Sequence, residues 1–252
     1  MPIPPVVVYL TNWLKINHMT GTKKVTKMQK RLVCLFACLS SFVLLGQDVV
    51  KVAPAGAVKV EYEDAQIRVL RFTEPAGSKL PMHSHPAYVA IGLTADSARY
   101  TFPDGKTKTE TSKAGAADFA KPVTHSSEDT GNTPSESVMI ELKTKPAGVA
   151  LGDMVKMNPT MCKVELDNAY VRITRVKVPA HGMLKMHTHT SPTAVVYISG
   201  GRLKTVSDDG KVSDQDLVPG AAAVRAASKH SNENLSDKPS EAVVVELKTA
   251  AR

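Results

Sequence analysis

The chain has 252 residues, 42% hydrophobic and 22% charged, a composition that fits an ordinary globular protein with either one large core or two small ones. Its formal net charge of +8 does not imply a nucleic-acid partner. Residues 1–47 hold six of the 32 basic residues and no acidic one, so the remainder balances 26 against 24 and shows no phosphate-binding stripe.

The first segment is a leader. Lys30-Arg31 precedes an apolar run, Leu32 to Gly46, broken only by Ser40 and Ser41. This pattern predicts a secretory signal peptide, and the run is short for a membrane-spanning helix. A core helix, the alternative, would show a polar face that the run lacks. Met19 and Met28 both suit a later start, and from Met28 the signal has ordinary proportions. The expected location is periplasmic or secreted, with membrane contact only through the signal peptide. Cys34 and Cys38 fall in the leader, so Cys162 stands alone in the body and no internal disulfide or cysteine-rich zinc site is expected there. Between Met161 and Lys163, just before a strand-like run, it reads as a packed thiol rather than a nucleophile.

From Asp48 onward the chain repeats itself at an offset of 104 or 105 residues. Asp48-Val49-Val50-Lys51 answers to Asp153-Met154-Val155-Lys156, and the Arg68/Arg71 pair to Arg172/Arg175. Met82-His83-Ser84-His85 answers to Met186-His187-Thr188-His189, and Glu141-Leu142-Lys143 to Glu246-Leu247-Lys248. The division is therefore a leader at 1–47, one domain at 48–149 and a second at 150–252. Within each copy the local pattern is β. Ile67 to Phe72 and Val171 to Val176 alternate apolar with polar, Ala87 to Leu93 and Val138 to Leu142 are short apolar runs, and Asp-Gly turns separate them. No stretch after the leader sustains a helical period. Many short strands in about 100 residues predict a sandwich or closed barrel.

Six of the eight histidines occupy equivalent positions: His83, His85 and His125 in the first copy, and His187, His189 and His230 in the second. Residues i and i+2 of a strand share a face, so each His-x-His aims both imidazoles at one spot. A third imidazole about 40 residues on completes a facial three-nitrogen set suited to Fe(II), Cu, Ni or Zn. Here the chain resembles the cupin superfamily, and specifically the bicupins. Gly77-x5-His83-x-His85 follows the opening of the first cupin motif; in the second copy Gly182 is one residue late and His181 stands in the glycine's place. His230-x3-Asn234 fits the second motif, and His125-x3-Asp129 fits with Asp for Asn. The resemblance implies an all-β fold of two tandem cupin-type (double-stranded β-helix, jelly-roll) barrels, each with a metal in its mouth.

The glutamate ligand of that family is absent from both copies, its place taken by Val89 in the first and by Thr193 or Ala194 in the second. A neutral three-imidazole set makes Mn a less favoured ion. Glu128 and Glu233 follow each third histidine by three residues, and by strand alternation they face away from it. The recurring arginines read either as carboxylate clamps or, by alternation, as outward solvated residues.

Two functions compete. One is an exported non-haem metal dioxygenase acting on a small organic substrate; the other is a non-catalytic small-molecule-binding or structural bicupin with degenerate metal sites, where any metal only helps to hold the barrel. No general acid or base announces itself, the cavity-facing candidates being Tyr88, Ser127 and Asn232. The partners expected are a small organic ligand and, where barrels associate, a second copy of the chain.

Overall fold

The computed structural model describes residues 47–249. The leader, with its expected signal peptide, its alternative starts and Cys34 and Cys38, lies outside the described residues.

The first copy runs β1 (Gln47–Asp48), α1 (Val49–Val52), β2 (Val58–Glu63), β3 (Ile67–Glu74), β4 (Lys79–His85), β5 (Tyr88–Gly92), β6 (Asp96–Thr101), β7 (Thr107–Ser112), β8 (Ala117–Ala120), β9 (Val123–Asp129) and β10 (Ser135–Leu142). The second repeats it as α2 (Met154–Met157), β11 (Cys162–Asp167), β12 (Val171–Val178), β13 (Met183–His189), β14 (Thr193–Tyr197), β15 (Gly201–Ser207), β16 (Val212–Leu217), β17 (Ala222–Arg225), β18 (Ser228–Asn234) and β19 (Ser240–Leu247). Each copy makes two sheets. In the first their orders are β1-β4-β9-β6-β7 and β2-β3-β10-β5-β8; in the second, β13-β18-β15-β16 and β11-β12-β19-β14-β17. The two four-residue helices were not expected. Each follows an aspartate, and Asp48 caps its helix by accepting from Val50 N at 2.9 Å.

Strand alternation decides where the cores lie. On β3, Ile67 and Val69 face away from the first cavity, while Leu70 and Phe72 join Val49 and Leu80 on the inner side. The away-facing set joins Val89, Ile91, Val138 and Ile140, and packs on Val171, Ile173, Val196, Val243 and Val245 of the other copy. The largest apolar cluster thus lies between the barrels, and strands that read as half-buried are covered on both faces. Phe119 meets Tyr170 across this seam, ring centroids 5.3 Å apart.

The recurring arginines belong to the same geometry. Arg71 pairs with Glu61 and Glu136 and donates to the carbonyl of Gly220 in the other copy at 2.6 Å. Arg175 pairs with Glu165 and Glu241 and donates to the carbonyl of Gly115, also at 2.6 Å. Neither is a substrate clamp or a solvated outward residue: the outward face of each barrel is the face that meets the other. Cys162 is buried among Met154, Val176 and Leu184, and burial pushes its thiol up to about 11, as suits a packed, unreactive sulfur.

Candidate functional site

The structure brings each predicted histidine set together. β4 pairs antiparallel with β9 so that His83 stands opposite His125, and β13 pairs with β18 so that His187 stands opposite His230. With His85 and His189 two residues on, each triad gathers at one cavity. One ligand atom from each histidine of a triad lies within 4.8 Å of the others. Ring centroids are 4.8–5.5 Å apart in the first triad and 4.6–5.4 Å in the second. Such spacing leaves room for one ion between three inward nitrogens.

In the two His-x-His pairs the other ring nitrogen is engaged, which fixes the orientation of those four rings. His83 Nδ1–H donates to the Pro81 carbonyl at 2.6 Å and His187 Nδ1–H to that of Lys185 at 2.8 Å. His85 Nδ1–H donates to Glu141 at 2.8 Å, and His189 Nδ1–H to Glu246 at 3.1 Å. An Nδ1–H held this way leaves Nε2 as a lone pair facing the centre, the tautomer a metal needs. Burial favours the neutral form of four of the imidazoles: it pushes His83 and His230 down to about 4, with the neighbouring His83 and His85 it pushes His125 down to about 3, and it lowers His187.

The carboxylates behind the triads differ. Glu141 pairs with Arg68 at 2.6 Å, and Arg68 also binds Asp48 at 2.7 Å, so the first copy already balances its buried charge. In the second copy Arg172 turns instead to Asp167. Glu246 is 1% exposed, and its Oε2 has no hydrogen-bond partner. A buried carboxylate tied only to a histidine calls for a cation beyond the ring. The donor set and this orphaned oxygen both fit a divalent transition metal.

Three expectations need correcting or completing. Val89 does not face the triad. It is fully buried in the seam between the barrels, and Tyr88 takes the cavity side, its ring 5.2 Å from that of His85. Strand alternation is the reason, and in the second copy it selects Thr193 over Ala194, which lies in the seam. Glu128 and Glu233 do face away, on Lys79, Arg99 and Lys204. Tyr88, Ser127 and Asn232 line the cavities as expected. The family's second-motif residue is structural: Asn234 Nδ2 ties together the carbonyls of Val178, Pro179 and Lys238, while Asp129 accepts from Gly131 N and Ser135 Oγ.

The cavities are unlike. The first, about 640 Å³, is lined by Glu74, Asp96, Glu110 and Asp129 with Tyr88 and Tyr100. The second, about 450 Å³, is mostly aliphatic, with Arg225 among its polar groups. Sequence reasoning missed Glu74 and Arg225. The repeat held the signal, since their counterparts are Val178 and Ala120.

No family model and no curated protein matches this chain. Solved structures do. AerE from Microcystis aeruginosa superposes at a TM-score of 0.58 with 13% identity, over 81% of this chain and 97% of its own. The oxalate decarboxylase of Lactobacillus farciminis, in its formate complex, gives 0.53 at 11% identity over 75% and 79%. A cupin domain from Bordetella pertussis matches 34% of this chain and 90% of its own, at 26% identity and a TM-score of 0.33. The fold is two tandem cupin barrels, one per repeat. A histidine triad stands in each barrel, as the resemblance to the bicupins implied.

Proposed function

We propose that this is an exported bicupin that holds a divalent transition metal in its histidine triads and a small organic ligand beside it, with non-haem metal dioxygenation as the reaction class of the first barrel. The observation that carries it is the duplicated triad, in which the two His-x-His histidines of each copy have their outer nitrogens held by acceptors and one nitrogen from each of the three histidines converges. When bound, an ion such as Fe(II) supplies a redox-active, Lewis-acidic centre with positions open to dioxygen and ligand. The chain supplies the rest. In the first barrel Tyr88 stands over His85, and Glu74 lines the same cavity with its pKa pushed up to about 7 by burial and by Asp96 and Asp129, a value suited to proton transfer near neutrality. The second barrel favours binding without turnover, because the one carboxyl group lining its cavity, Glu241, is ion-paired to Arg175 and Lys177. Among the similar proteins, an oxalate decarboxylase of Bacillus subtilis is described with Mn(II) centres. The missing glutamate argues for a softer ion here, Fe(II), Zn, Cu or Ni.

The test is metal analysis of the purified full chain and thermal melts with each ion, for wild type, His83→Ala/His85→Ala and His187→Ala/His189→Ala. We expect Fe(II), Cu(II), Ni(II) or Zn(II) to raise the melting temperature more than Mn(II), and each double variant to lose part of the rise. Glu246→Gln is expected to weaken the second site about 10- to 100-fold. Protein that purifies without metal and gains nothing from any ion would leave the triads as relics. Oxygen uptake against a substrate panel separates turnover from binding. Export rests on Lys30-Arg31 and the Leu32–Gly46 run, and sequencing the mature N-terminus from fractionated cells checks it.

A further inference from the structure

Arg225 ends β17 directly opposite Thr193 of β14, so both side chains lie on the cavity face of that sheet. Its guanidinium is held by neutral partners. Nη2 donates to Gln215 Oε1 at 2.8 Å and to the Tyr197 hydroxyl at 3.2 Å, and Gln215 Nε2 donates to the same hydroxyl at 2.7 Å. Arg68, Arg71, Arg99, Arg172, Arg175 and Arg202 each have a carboxylate partner. Arg225 alone among the described arginines has none. Arg225 is exposed, so its charge meets solvent and no protein carboxylate, and a planar fork oriented by a tyrosine and a glutamine can receive a carboxylate there. Val176, Leu184, Val195, Leu203 and Leu217 give the cavity an aliphatic wall for an apolar body, while Lys229 and Glu241 also line it, Glu241 being already paired with Arg175 and Lys177. The volume, about 450 Å³, falls within the range of small-ligand sites.

We propose that the second barrel's cavity binds a small organic monocarboxylate, its charged end on Arg225 and its apolar body against the aliphatic wall. This deepens the reading that the cavity takes a small organic ligand, and Arg225 performs its part whether or not the triad carries an ion. The first barrel offers no equivalent: Ala120 stands where Arg225 would, and Glu74, Asp96, Glu110 and Asp129 repel an anion. The two barrels therefore differ in ligand class, and Arg225 sets the difference.

The experiment is calorimetric titration of the full chain with hexanoate, hexanamide and hexylamine, first stripped with EDTA and then loaded with Zn(II). In the stripped protein hexanoate is expected to bind about tenfold to a hundredfold tighter than hexanamide, the span of a charge-assisted hydrogen bond, and hexylamine weakest. Arg225→Met should erase the preference, and Arg225→Lys should keep part of it. The ligand series on wild type needs no variant to fold, and the melting temperature of Arg225→Met checks that it does. Equal affinities for hexanoate and hexanamide, or an unchanged preference in a folded Arg225→Met, would overturn the site. A preference that stands while Zn(II) changes nothing supports the carboxylate site and counts against the metal reading, so the two fail separately.

Discussion

Glu74 ends β3 with its carboxyl in the first cavity, where burial comes first and then Asp96 and Asp129 in raising its pKa to about 7. Asp96 is raised as well, by burial first and then by Asp129. A folded-state pKa above the unfolded value means that the folded protein holds the proton more tightly. The associated stability is complete below about pH 4.5 and is lost as pH rises through about 7. Glu74→Gln mimics the protonated form, so it should change little at pH 5 and stabilise by roughly 1–2 kcal/mol at pH 8, the full shift being reduced for partial solvent access. Denaturant melts at the two pH values measure this, and an equal effect at both would contradict the burial argument. The histidines were legible in the sequence because three of them recur in register. Glu74 and Arg225 were not, because each occurs in one copy only and a repeat highlights what the copies share.

At the scale of elements, the His-x-His strands and their partners followed from alternation and turn chemistry, whereas α1 and α2 did not, since one helical turn has no period to read. The turn into each His-x-His strand shows what a small sequence departure does. In the first copy Gly77 takes the left-handed conformation at φ 75°, and in the second His181 takes it at φ 54°. The glycine arriving one residue late did not move the turn; a histidine adopts the strained geometry, and Gly182 stays because a Cβ there would lie 2.9 Å from Pro179 Cδ. His181 is exposed and pairs only with the exposed Asp237 at 2.9 Å. His181→Gly should therefore stabilise by about 0.5–1 kcal/mol, the left-handed penalty less the extra entropy of glycine. In a chain of this size that is about 1–3 °C in melting temperature. A variant that melts at or below wild type would show that the Asp237 contact outweighs the strain.

For the whole molecule, the decisive surface is the seam. The sequence showed duplication but not which faces the copies share, because an apolar residue turned toward a partner domain alternates just as one turned toward its own core. The seam cluster takes Ile67, Val69, Ala87, Val89, Ile91, Val138, Ile140 and Leu142 from the first copy. Burying each large aliphatic side chain is worth about 1.5–3 kcal/mol, so uncovering this face costs on the order of 10 kcal/mol, comparable with the whole stability of a domain. The Arg71 and Arg175 contacts to the opposite carbonyls would go with it. Residues 47–149 expressed alone should accordingly yield no folded monomer: the exposed face should drive pairing of two identical copies or aggregation. Sedimentation at micromolar concentration with a thermal melt is the measurement. A monodisperse monomer with a cooperative transition would mean that each barrel carries its own stability and that the seam is a docking contact between finished domains.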